Sequence, residues 1–278
     1  MIIVRHWRYV LPVALSLSAA ARGAEPMPLF DAHLHYNLEA RELHPVKQVL
    51  ELFRQQGVSG VLANSRPNEG TVALLRAAPR ELWVVPFIRP YVVRPDRYTW
   101  FSDPAIYALI EKEFARGGYQ GIGEFHLFGQ DAASPWVNKM VEFAVKHDLY
   151  LHAHSDAEAV DLLFSHDPTV KIIWAHSGFT AAPDVIAAYL EKYPSLWGEL
   201  SYRDEIAAGG QLRPEWRRLF ERYPERFLLG SDTWVNERWT DYAAIMNGYR
   251  AWLAELPRQT AEKIATGNAA RLFRRAAR

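Results

Sequence analysis

Pro28-Leu29-Phe30-Asp31-Ala32-His33-Leu34-His35 begins as a short apolar run and ends in two histidines. Such a run reads as a buried strand, and the residues at its carboxyl end decide between two folds. An open doubly wound sheet usually carries a glycine-rich phosphate loop after its first strand. Two imidazoles stand there instead. Residues two apart on an extended chain project to the same side, so His33 and His35 face one space.

Beyond 28–33, further apolar or β-branched runs occupy 58–64, 82–88, 120–125, 149–154, 170–176, 196–201 and 227–231. Between them lie segments of helical period with start signals. Asp103-Pro104 precedes Ile106, Leu109 and Ile110, and Ser134-Pro135 precedes Val137, Met140 and Val141. Asp and Ser suit the cap position and Pro the first helical one. Eight strand-helix units, each of about 30 residues, the size of a βαβ element, predict an α/β protein with a (β/α)8 TIM barrel. Nothing resembling a linker or low-complexity tract interrupts residues 25–278, which read as one domain.

Hydrophobic residues make up 49% and charged residues 23% of the chain, a balance that excludes disorder and coiled coil. There is no cysteine, so disulfides, thiolate ligands and thiol nucleophiles are out, and any metal must be held by His and carboxylates. Residues 1–24 carry Arg5, Arg8 and Arg22 and no acid. The rest of the chain is therefore slightly acidic, which argues against a nucleic-acid partner. The same residues read as a signal peptide: a basic start, an apolar run from Val10 to Ala20, and small residues to Ala24 for cleavage. That run is shorter than the ~20 residues a spanning helix needs, so the expectation is a periplasmic or secreted protein with no stable membrane anchor after processing. The sequence is compatible with a homo-oligomer and does not fix an assembly.

Ionisable residues gather at the carboxyl ends of the expected strands. His33 and His35 end the first, Glu124 the fourth, His154 the fifth, His176 the sixth and Asp232 the eighth. In a barrel these ends share one mouth, so residues spread over 200 positions of sequence converge. Imidazoles with carboxylates suit a divalent metal, zinc first and manganese as an alternative, one ion or two. His152 points inward one layer deeper and reads as packing or support for the ligands. His126 comes two residues after Glu124 on the same side and is a candidate substrate contact.

The ordered set of HxH, GxGE, the His154-Ser155 pair, AHSG and GSD, closed by GNAARLF, resembles the amidohydrolase superfamily, in its amidohydrolase-related branch with TatD-like features at Glu124 and His154. The resemblance runs from Phe30 to Phe273. It implies a distorted barrel with one or two divalent metals at its mouth. By that likeness His33, His35 and Asp232 hold the first metal, His154 and His176 the second, and Glu124 bridges them. With a single metal, His154 is its ligand and His176 polarises the substrate.

A divalent ion lowers the pKa of water from 15.7 toward about 7 and polarises a carbonyl or phosphoryl oxygen. Asp232 then takes the water's proton and returns it to the leaving group, and His176, where not a ligand, donates to the developing oxyanion. The expected activity is hydrolysis of a small-molecule ester, amide, lactone or phosphoester. A one-metal non-oxidative decarboxylase is the alternative, and a non-catalytic metal- or solute-binding barrel comes third. Loops after the strands carry Arg66, Tyr91, Trp100, Trp136 and Trp234, an aromatic mouth with some cations. Arg89 and Arg203 suit a substrate carboxylate, with Tyr202 beside them.

Overall fold

The computed structural model describes residues 26–273; the expected signal peptide lies outside them. Eight strands pair in sequence order, every pairing parallel: β1 (Leu29–Leu34), β2 (Val58–Ala63), β3 (Trp83–Ile88), β4 (Gly121–Leu127), β5 (Tyr150–Ser155), β6 (Lys171–Trp174), β7 (Leu196–Glu199) and β8 (Phe227–Leu228). Closure is made just beyond β8. Leu229 bridges Asp31, its carbonyl accepts from Ala32 N at 2.7 Å, and Asp232 N donates to His33 O at 2.6 Å. Helices alternate with the strands, giving the (β/α)8 barrel that the sequence predicts.

The two start signals work as their chemistry suggests. Asp103 accepts from Ala105 N at 2.8 Å and opens helix Pro104–Phe114, and Ser134 accepts from Trp136 N at 3.2 Å and opens Pro135–Lys146. Each satisfies an N–H that a helix start leaves without a partner.

Inside the barrel, Phe30, Leu62, Val85, Phe87, Ile173 and Leu228 form an apolar floor. The GNAARLF segment seals it from below. Phe273 lies 5.4–6.0 Å, ring to ring, from Phe30, Phe87 and Tyr150. Asn268 Nδ2 ties this segment to Phe227 O at 2.8 Å, and Tyr150 donates to Leu272 O at 3.0 Å. Truncating a buried aromatic costs about 3–5 kcal/mol. Phe273→Ala should therefore lower the denaturant midpoint by that much stability while leaving the mouth of the barrel, and its chemistry, largely in place.

Two departures from ideal strands turn polar residues into the lumen. Pairing of β1 with β2 slips between Asp31 and Leu34, and pairing of β4 with β5 slips between Gly123 and Phe125. Glu124 is left out of the second ladder, and its N–H donates instead to Asn64 Oδ1 at 2.8 Å. The sixth strand is shorter than its sequence suggests: it stops at Trp174, and His176 sits in a tight turn at φ 54°. The turn is held by Glu199, which accepts from His176 N at 3.1 Å.

Candidate metal centre

His33, His35, Glu124 and Asp232 bring one ligand atom each to a common point, and all four residues are buried. Side-chain tautomers are set from behind. His33 Nδ1 lies 2.9 Å from Glu199 Oε2 and His35 Nδ1 2.6 Å from Asn64 O. Both acceptors require N–H on Nδ1 and leave the Nε2 lone pairs facing inward. The Nε2 atoms are 3.1 Å apart. They lie 3.5 and 3.1 Å from Asp232 Oδ1, and 3.5 and 3.3 Å from Glu124 Oε2.

These separations fit a cation. Bonds of 2.0–2.2 Å in a tetrahedron put ligand atoms about 3.3–3.6 Å apart. Asp232 Oδ1 is buried without a hydrogen-bond partner, a costly arrangement for a carboxylate unless a positive charge faces it. Burial opposes charge on His33, yet Asp232, Glu124 and Glu199 beside it hold its pKa well above the usual imidazole value. Burial likewise opposes ionisation of Asp232 and Glu124, but His33 beside both, with Arg89 beside Glu124, keeps each carboxyl below its usual range.

A second group adjoins the first. His154 Nδ1 is 2.9 Å from Glu124 Oε1, and His176 Nε2 lies 3.5 Å from that oxygen and 3.2 Å from His154 Nδ1. His176 Nδ1 is backed by Ser201 O at 3.1 Å. Glu124 thus turns one oxygen to each histidine pair. His126 stacks on His154, 4.4 Å between rings, and shares a ligand-spaced cluster with it and Glu124. Burial, reinforced by His154, Arg89 and Arg97, pushes its pKa down to about 3.

Glu199, which sequence reasoning missed, is fully buried behind the first group. Gly230 makes room for it: a Cβ there would overlap Glu199 Oε1 and His33 Cβ. Burial opposes its charge, and His33 and His176 draw its pKa down to about 2. The only signal is an acid two residues after Trp197 on an inward-facing period. Asp31 is a second residue that sequence reasoning missed; it accepts from Ser231 Oγ at 2.6 Å and Tyr242 OH at 2.9 Å and holds β1 to the loop that bears Asp232. His152 lies where expected, under His33 with 4.4 Å between rings, and neither ring nitrogen has a partner. Glu199→Gln should weaken divalent-metal affinity about 10–100-fold, the usual cost of losing a carboxylate behind a ligating His; competition against a chelator measures it.

Above this centre opens a cavity of about 250 Å³, floored by Glu124, His154, His176 and Asp232. Tyr91, His126, Phe179, Tyr202 and Trp234 wall it, and Arg66, Arg89, Arg94 and Arg97 supply its cations. Tyr202 OH accepts from Trp234 Nε1 at 2.8 Å. Three of the expected mouth residues lie elsewhere. Arg203 is spent on the carbonyls of His176, Ser177 and Ala181 at 2.6–3.1 Å and on Glu205, so it braces the His176 turn and does not reach the cavity. Trp100 is buried against Phe125, and Trp136 packs beside Tyr107. Arg89 lines the cavity, but its Nη1 donates to Asn64 Oδ1 at 2.8 Å and Glu124 Oε2 at 3.0 Å. No sequence signal singles out Phe179, Arg94 or Arg97.

His176, Phe179, Tyr202 and Asp232 all hold positive φ, between 48° and 59°. Each such residue costs energy outside glycine, and strain of this kind clusters at functional sites.

In a parallel barrel the carboxyl ends of the strands form the face where active sites are built, and the cation-seeking residues gather there. The amidohydrolase family matches residues 90–275, and the chain belongs to that family. Solved structures share the fold. A TatD homologue, YjjV from Escherichia coli K12, superposes with a TM-score of 0.62 at 15% identity, over 89% of this chain and 98% of its own. A dihydroorotase does so with a TM-score of 0.52 at 12% identity, over 80% of this chain but only 66% of its own length. No curated protein matches the sequence.

Proposed function

We propose that the chain hydrolyses an ester, amide, lactone or phosphoester bond of a small molecule at a centre of two divalent ions, zinc or manganese. The observation that carries this reading is the pair of oxygens on Glu124, one facing His33 and His35 and the other facing His154 and His176. His33, His35 and Asp232 would hold one ion, His154 and His176 the other, with Glu124 between them. Ions there supply acidified water and a polarised carbonyl or phosphoryl oxygen.

The chain's own groups do the rest. Asp232, kept ionised by the imidazoles beside it, accepts the water's proton at its carboxylate and delivers it to the leaving group. His176, fixed at Nδ1 by Ser201 O, keeps its Nε2 turned toward Glu124 and His154, where the second ion would sit. Tyr91, Phe179 and Trp234 exclude water from the bond that breaks. Screening aryl esters, lactones, anilides and phosphoesters with zinc or manganese supplied tests the reading; turnover of none of the four classes counts against it.

One contact favours the decarboxylase alternative. Arg89 already neutralises Glu124 from within the protein, as a one-ion centre would require. Metal stoichiometry separates the two readings. Among the described residues no helix is long and apolar enough to cross a membrane. We place the protein outside the cytoplasm on the character of residues 1–24. The mature N-terminus should fall within 21–25 on N-terminal sequencing, and a membrane-bound form that retains Met1 would contradict export.

A further inference from the structure

Four arginines border one small cavity, and their charges are not equally committed. Arg89 is held by Glu124 and Asn64, and Arg66 is paired with Glu39. Arg94 and Arg97 sit in the short turn Arg94–Tyr98 after β3. Among the described residues neither has a carboxylate within ion-pair distance; Asp96, the acid between them, accepts instead from the backbone N–H groups of Val92 and Val93 at 2.7 and 2.9 Å. Their guanidinium groups rest on aromatic faces, Arg94 4.9 Å from the Trp234 ring centre and Arg97 4.5 Å from that of Tyr98. Arg94, Arg66, Asn37 and Trp234 also border a second cavity that adjoins the first and includes Glu39 and Glu237.

The acids of the main cavity, Glu124 and Asp232, lie at its floor among the imidazoles. The positive charge that has no carboxylate partner among the described residues is that of Arg94 and Arg97, which line the cavity with their guanidinium groups over Trp234 and Tyr98. Arg94 is exposed and Arg97 half-buried; like charges gathered along one cavity repel, and an anion that pairs with them relieves this. Guanidinium forks match the oxygens of carboxylate and phosphate.

We propose that the substrate carries an oxyanion group, carboxylate or phosphate, on a planar body remote from the bond that breaks, and that Arg94 and Arg97 hold this group while Trp234 flanks the body. The assignment rests on the hydrolase reading for which end reacts. Arg94 and Arg97 are specificity-determining residues, and the anion enters the pocket with its charge directed away from the floor.

Equilibrium binding tests this without any turnover. Terephthalate and isophthalate are each titrated calorimetrically into the zinc-loaded protein against their mono-amides, which keep one carboxylate for the metal end and lack the second. The better-fitting diacid should bind at least about tenfold more tightly than its mono-amide, as expected for a charge-assisted pair. That ratio should fall to near one in the Arg94→Ala/Arg97→Ala variant, with affinity for the mono-amide little changed. The corresponding phosphonobenzoates show whether carboxylate or phosphate is preferred; selective binding of either through these arginines supports the assignment. Diacid and mono-amide binding equally, neither binding, or a preference that survives the double variant would overturn it. A protein that shows the preference yet hydrolyses nothing would leave the anion site standing and remove the hydrolase reading.

Discussion

Replacing Asp232 by Asn should reduce kcat/KM by a factor on the order of 10²–10⁴, the range for loss of a positioned acid-base group, and leave the unfolding temperature almost unchanged. The two effects part for a structural reason. Asp232 Oδ1 accepts no hydrogen bond within the protein, so the fold loses little when an amide of the same shape replaces it. The backbone contact that closes the barrel, Asp232 N to His33 O, survives the change. The variant lacks an oxygen that can both face a cation and take up a proton. Steady-state kinetics on the best substrate of the screen, beside a thermal melt, measures both; activity within threefold of the parent protein would remove Asp232 from the chemistry.

Glu124→Gln should have an effect of similar size on turnover and a further one on composition. Its two oxygens lie between two imidazole pairs, and a carboxylate can serve two cations because each oxygen carries its own lone pairs and the charge is shared. An amide keeps one oxygen and offers an N–H₂ that repels a cation. Metal content should drop from about two ions per chain toward one, and hydrolysis should fall on the order of 10²–10⁴-fold. A stoichiometry of one in both parent and variant would instead favour the decarboxylase, with Glu124 matched by Arg89.

Much of this centre is legible in the sequence because a barrel converts strand ends into neighbours. Once eight apolar runs are recognised, a His or acid at the end of each run must face the mouth, and His33, His35, Glu124, His154, His176 and Asp232 do meet there. Local conformation is less legible. The alternation that should place His33 inward is reset by a slip in pairing after Asp31, and His176 reaches the centre through a left-handed turn beyond its strand. Both depend on contacts with distant chain, from Ser231 and Glu199 respectively.

Loop residues are the least legible. Arg203 and Arg94 look alike in sequence, each a cation after a strand. Arg203 is drawn back onto three carbonyls, whereas Arg94 lies over Trp234 at the cavity rim. Which way a long side chain turns is settled by acceptors contributed from elsewhere in the fold. Glu199 is hidden for a related reason: it sits within an apolar run, and the approach of His33 and His176, with N–H and O–H donors from Ser201, makes an ionised carboxylate tolerable there.

Turnover at this centre depends on the buried imidazoles and carboxylates holding divalent ions that the reaction needs. The direct test is elemental analysis of the purified protein run in parallel with activity, before and after exhaustive chelation. The prediction is about two divalent ions per chain, activity lost as they are removed, and activity restored by zinc or manganese in the parent protein but not in His33→Ala. Undiminished activity in a protein from which every divalent ion has been removed would contradict it.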